Sequence, residues 1–164
     1  MKAKIIFDLE KSDWHDHSTE SLWANPLSDE LFQLDNIPFY IYGVSFGDIV
    51  YANPESGNYR FRELERSGGH STYRIFIFES SNTLLVEKEL AKLVSLGCSL
   101  ERADEYLIAI DVPPNIDIFE AYRLFEDGEK KSLWDSDEGK CSHDIHNRDQ
   151  DRSRHSSDTK IFGV

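Results

Sequence analysis

The chain is poor in sulfur, with two cysteines and one methionine in 164 residues, and Cys98 and Cys141 stand without CxxC spacing. This excludes a sequence-evident zinc knuckle or dithiol redox motif, and free thiols are the expectation. Long apolar runs are also missing. Nothing approaches the 18 apolar residues of a membrane span, and the start, MKAKIIFDLE, reaches Asp8 after a three-residue apolar run, too short for the core of a signal peptide. No membrane partner is expected, and the expected compartment is cytoplasmic. There is no G-x-S-x-G elbow and no cofactor signature, so no cofactor is expected. Positive charge is scarce as well: 18 Lys and Arg against 31 Asp and Glu give a formal charge of −13.

That charge is unevenly placed. Residues 1–50 carry 3 basic and 9 acidic side chains, residues 51–100 carry 6 of each, and residues 101–142 carry 5 and 12. Such a field repels phosphate backbones and draws in a basic protein at raised rate. Nucleic acid is therefore not an expected partner. The one basic-aromatic stretch, Tyr59-Arg60-Phe61-Arg62 with Arg66 and Arg74, is local and surrounded by acid. The plainer reading of the surplus is solubility.

What is present centres on Leu34–Ala52, LDNIPFYIYGVSFGDIVYA, an apolar stretch punctuated by Pro38, Gly43 and Gly47-Asp48. It reads as two buried strands joined by a tight corner. Before it, Lys2–Leu9 and Glu20–Ala24 read as strands. After it comes a loop over residues 53–58, then a half-exposed strand, Tyr59–Leu64. Short strands at this spacing predict a small bent sheet or SH3-like barrel. Gly68-Gly69 marks a hinge. Beyond it the pattern predicts a strand (Tyr73–Phe78), a helix capped at Asn82 or Thr83 and ended by Gly97, a hairpin around Asp104-Glu105, a helix capped by Asp117 and closed by Gly128, and a last strand from Leu133-Trp134. That is the ferredoxin-like βαββαβ order, with the apolar YRIFIF and YLIAIDV as central strands. The three tryptophans, Trp14, Trp23 and Trp134, are expected in the core or between lobes. The predicted class is thus α+β, a β-rich lobe (1–66) and a hinge (67–72) packed on a ferredoxin-like lobe (73–141). The tail, 142–164, is too polar to offset ordering entropy by burial and is expected to be disordered. Its apolar end, Ile161–Val164, is the part that would dock.

Several pieces together resemble one bacterial family, DUF4265: Trp23-Ala24, Leu34–Tyr40 with its NIPFY core, Gly43-Val44-Ser45, Gly47–Val50, and Ser67–Arg74 with its GHSTYR core. The resemblance spans roughly residues 5–140, and the tail lies outside it. Gly68-Gly69 departs from the single glycine of the family form. The resemblance implies a domain of unknown function with no established activity, and it points to the company of bacterial toxin systems.

Candidate site residues follow. His70 and Ser71 suggest a base and a nucleophile, with Asp48 or Asp35 orienting the imidazole. Neighbours on extended chain point apart, so His70 would pair with Ser45, Ser67 or Thr72 instead. Asn36 and Asp48 flank the apolar stretch and either present hydrogen-bonding groups to a ligand or satisfy nearby backbone in their own turns. His15 and His17 put two imidazoles on one side of an extended loop, the weak metal candidates of the chain; no metal is expected. Asp104, Glu105 and Asp127 are the acidic residues expected to meet a partner. The leading reading is a non-enzymatic acidic protein-binding module, an immunity or inhibitor protein that neutralises a basic toxin or nuclease. The alternative is a small hydrolase, or a small-molecule-binding regulatory domain, with its site at the hinge.

Overall fold

In the computed structural model, which describes residues 1–146, the first five strands close on one another before the chain reaches a helix. β1 (Ala3–Asp8), β2 (Thr19–Pro26), β3 (Leu31–Leu34), β4 (Ile49–Glu55) and β5 (Asn58–Arg66) pair antiparallel in that order, and a short parallel contact of β5 with β1 closes the barrel. Strand alternation fills it: Ile5, Phe7, Leu22, Ala24, Phe32, Leu34, Val50 and Ala52 point inward and form its core. The same alternation turns Trp23 outward, so it is exposed under Lys4 and takes no part in a core or lobe interface. The loop expected over residues 53–58 shrinks to Ser56-Gly57, both at positive φ, whose twist matches the flanking strands and lets β4 and β5 pair to their ends.

The rest of the described chain runs β6 (Ser71–Ile77), α1 (Thr83–Leu96), β7 (Ser99–Arg102), β8 (Leu107–Val112), α2 (Ile118–Lys130) and β9 (Trp134–Lys140), with sheet order β7-β8-β6-β9. Both helices start on the predicted caps: Asn82 Oδ1 accepts from Leu85 N, and Asp117 Oδ1 from Phe119 N. Gly97, at φ +118°, ends α1. Gly128 does not end α2. The helix continues to Lys130, and a Cβ at 128 would overlap the Trp134 indole, so the glycine serves close helix–strand packing. Tyr73 and Ile75 of β6, with Ile108, Ile110 and Val112 of β8, pack under the helices. The described residues are α+β, two helices with two sheets that are antiparallel apart from the β1–β5 contact. Among the described residues no helix is long and apolar enough to cross a membrane.

The opposite face of β6, carrying Thr72, Arg74 and Phe76, meets the connection between β3 and β4, residues 35–48. Here the expected pair of buried strands is replaced by an irregular strap. Its amides find a different acceptor: the Glu20 carboxylate, nearly buried on β2, takes the N–H groups of Phe39 (2.7 Å), Tyr40 (3.0 Å) and Ile41 (2.9 Å). Three donors converging on one charged side chain remove the need for a strand partner. The strap docks on the sheet through Ser45 Oγ to Thr72 Oγ1 (2.7 Å), Gly43 N to Gly139 O (3.0 Å), and the Tyr42 hydroxyl to Asp137. Trp14 adds an edge contact to Phe76. Ser71 and Thr72, expected in the hinge, belong to β6. Ser142 and His143, expected in the disordered tail, are held: Ser142 N donates to Ser71 Oγ at 2.8 Å. Residues 147–164, with Ile161–Val164, lie outside the described residues.

Candidate functional site

The hinge histidine finds its partner in β8. His70 Nδ1 lies 2.8 Å from Asp111 Oδ1 and 3.1 Å from Oδ2, in place of the expected Ser45, Ser67 or Thr72. Asp111 alternates away from the helix side of β8, which brings its carboxylate to the junction. Burial pushes the Asp111 carboxyl above its ordinary range, and His70 opposes that shift. A carboxylate at Nδ1 fixes the proton there and leaves the lone pair of the neutral ring on Nε2. That ring edge lies beside Gly47, and Phe46 meets it edge-on at 5.1 Å between centroids. Together with Asn25, Gln33 and Asp35 they line a small cavity of about 180 Å³.

Asp48 does not orient His70. Fully buried, it accepts from Ser45 N (2.9 Å), Gly68 N (2.9 Å) and Lys140 Nζ (2.7 Å), pinning strap, hinge and β9 together. Asn36 likewise serves backbone, accepting from Trp23 N at 2.7 Å, though on β2 and not in its own turn. Asp35 pairs with Lys2.

Ser71 does meet an imidazole, that of His143: Oγ lies 2.6 Å from Nδ1, while Nε2 lies 2.9 Å from Pro113 O. The pairing has the order of a nucleophile and base, but the hydroxyl oxygen also accepts from Ser142 N and His143 N and is fully buried. Its lone pairs are occupied and no substrate reaches it, so it anchors the segment after β9.

Arg74, fully buried, donates to Ile41 O and stacks under the Tyr42 ring, yet its Nε and Nη1 have no partner among the described residues. Burial pulls its guanidinium below the ordinary value, with Glu20 opposing. His15 and His17 pack against Tyr40, His15 Nδ1 accepting from His17 N at 3.2 Å. Among the described residues no cluster of three or more His, Cys, Asp or Glu side chains could hold a metal.

The acidic residues sort by place. Asp104 Oδ1 accepts from Tyr106 N and Leu107 N, both at 2.8 Å, and shapes its own turn. Glu105 lines a cavity of about 390 Å³ that also holds Arg102 and Glu87, themselves ion-paired. Asp127 sits on α2 beside a feature the sequence did not reveal, an open groove of about 300 Å³ between α2 and β9. Glu126, Glu129, Asp137 and Glu138 line it, with the Asp137 carboxylate turned to Tyr42 on the opposite face, and no basic side chain does. The rings of Tyr73, Tyr122 and Phe125 form its floor, with the Tyr73 hydroxyl 2.8 Å from Glu138 Oε1. Alternation in the β9 segment WDSDEGK with the i, i+3 spacing of Glu126 and Glu129 was the available signal.

Residues 20–136 match DUF4265, a domain of unknown function. A solved structure described as a novel crystal structure of a hypothetical protein from Neisseria gonorrhoeae is similar at 19% identity and a TM-score of 0.73, covering 88% of this chain and 97% of that one. At that identity the likeness shows the fold alone. No curated protein matches the chain.

Proposed function

Since the chain belongs to the DUF4265 family, a domain of unknown function, we propose from its surface chemistry that it is a non-enzymatic module that binds a basic protein. Inhibitors and immunity proteins that mask a toxin or nuclease work in this way. The observation that carries the reading is the α2–β9 groove, where the carboxylates of Glu126, Glu129 and Glu138 surround three aromatic rings with no basic side chain in the lining. Carboxylates attract an arginine or lysine, ring faces stabilise it once seated, and the −13 overall charge speeds its approach. Asp127, next to Glu126 on α2, adds to the acid there, while Asp104 and Glu105, in the β7–β8 turn, would be a separate acidic contact.

We read the two units as an SH3-like barrel, residues 1–66, and a ferredoxin-like sheet, residues 71–141, joined by a hinge over 67–70. Closure of five consecutive strands and the β7-β8-β6-β9 order support those names.

The test uses an arginine-rich peptide as probe. Reversing Glu126 and Asp127 to lysine should weaken binding about tenfold at physiological salt, and the loss should shrink as salt rises and screens the pair. Reversing Asp29 and Glu30, in the β2–β3 turn, changes net charge equally and should have a much smaller effect. Equal losses from both reversals would mean that the groove is not the seat.

A further inference from the structure

We propose that His70, held by Asp111, and the cavity it opens on form a second site, one that binds a small uncharged ligand of the amide or imide class. Orientation comes first. Both Asp111 oxygens lie within 3.1 Å of Nδ1, so the ring cannot turn freely, and Nε2 has no hydrogen-bond partner among the described residues. Access differs for the two groups: the His70 side chain is 19% exposed and that of Asp111 6%, so the accepting nitrogen is reachable and the group that orients it is not. A buried carboxylate kept against its own desolvation behind an imidazole is a feature of sites more than of scaffolds.

The walls define the ligand. Asn25 and Gln33 bring carboxamides, that of Gln33 already donating through Nε2 to Gly47 O at 3.4 Å, and the Phe46 ring supplies an apolar wall. The one carboxylate in the lining, Asp35, is neutralised by Lys2, so the cavity offers no net charge. An N–H facing Nε2 beside a C=O facing the carboxamides meets all of these groups. The volume, about 180 Å³, lies below the roughly 300 Å³ at which sites for drug-sized molecules begin. A single ring or short chain fits.

Two glycines keep the space open. Gly47 has φ +82°, and a Cβ there would come 3.2 Å from His70 Cδ2, beside the edge that must stay free. A Cβ on Gly68 would fall 2.5 Å from Gly47 O and push the two turns apart.

The experiment is an NMR titration of the full chain, isotope-labelled, with 2-pyrrolidinone and succinimide as probes and acetate and methylammonium as charged controls. The amide and the imide should shift His70 Nε2 and the Gly47 and Gly68 amides saturably, with midpoints of about 1–30 mM, as suits so small a ligand. His70→Gln should weaken binding about tenfold or more. Asn25→Ala, an exposed position where the fold is not at risk, should weaken it about threefold or more. Asp111→Asn should leave a folded protein whose affinity falls as the ring loses its fixed tautomer. Absence of saturable shifts up to about 0.3 M, equal binding of the charged controls, or unchanged affinity in Asn25→Ala would overturn the site. If His70→Gln fails to fold, Asn25→Ala decides.

Discussion

Replacing Asp48 by alanine tests the junction where it is most tightly bound. The carboxylate is fully buried and receives two backbone N–H groups and the Lys140 ammonium, whose side chain is only 15% exposed. Alanine leaves that ammonium without its partner in a nearly dry site, and breaking such a pair typically costs about 3–5 kcal/mol. The released amides of Ser45 and Gly68 add about 1 kcal/mol once they relax toward water. A total of about 4–6 kcal/mol is a large fraction of the 5–15 kcal/mol or so of a typical domain. A side chain serving only its own turn would cost about 1 kcal/mol. With a urea slope of about 2 kcal/mol per molar, the midpoint should fall by about 2–3 M. Lys140→Met in the same background removes the stranded charge and should recover about 2 kcal/mol, a coupling that a double-mutant cycle reads directly. A loss under about 1.5 kcal/mol, or a Lys140→Met effect that is the same with and without Asp48, would refute the reasoning.

Two further outcomes follow from the same kind of accounting. Glu20→Gln keeps one acceptor but loses the charge that gathers three strap amides, so stability should fall by about 1.5–3 kcal/mol. Amide exchange at Phe39, Tyr40 and Ile41 should quicken first, and unchanged protection there would mean that the strap is held by something else. Asp111→Asn reports on a carboxyl whose pKa folding raises above its ordinary 3.8. A raised acid favours the folded state below its unfolded value and loses that contribution as pH rises through the folded one. The stability of the native chain relative to the variant should therefore decline over the window that opens at the ordinary 3.8 and runs upward through the raised folded value. Urea midpoints across that window check it, and a flat or rising difference contradicts the assignment.

The helices were legible because their signals are local: Asn82 and Asp117 cap, Gly97 turns left-handed, and the apolar spacing lies between. The apolar segments after the hinge also stood out, and they are the central strands β6 and β8. The strap was misread because its decisive partner is Glu20, a residue of another strand that supplies the acceptor a β-ladder would have supplied. Gly128 was misread for a related reason, since only the position of Trp134 distinguishes a helix stop from a close contact. At the candidate site His70 was visible and Asp111 was not. The signal was one carboxylate in the otherwise apolar LIAIDV, at an alternation that places it away from the helices. His143 was passed over because composition marks its surroundings as tail, whereas two backbone donors to Ser71 hold it in place.

The ion pair between Asp48 and Lys140 also sets an order of events during synthesis. The two residues are 92 positions apart, so at ribosomal speeds of about 5–20 residues per second roughly 5–20 s separate their appearance. The barrel strands are complete at Arg66, well before β9 exists. Through that interval Asp48 belongs to a barrel with no sheet against it, and its carboxylate stays hydrated instead of being trapped in a dry site without a cation. The strap also waits, because Gly43 and Tyr42 take their partners from Gly139 and Asp137 of the same strand, β9. Docking is therefore deferred until β9 has been made, and β9 delivers in one step the lysine, the carbonyl and the carboxylate that lock the two units.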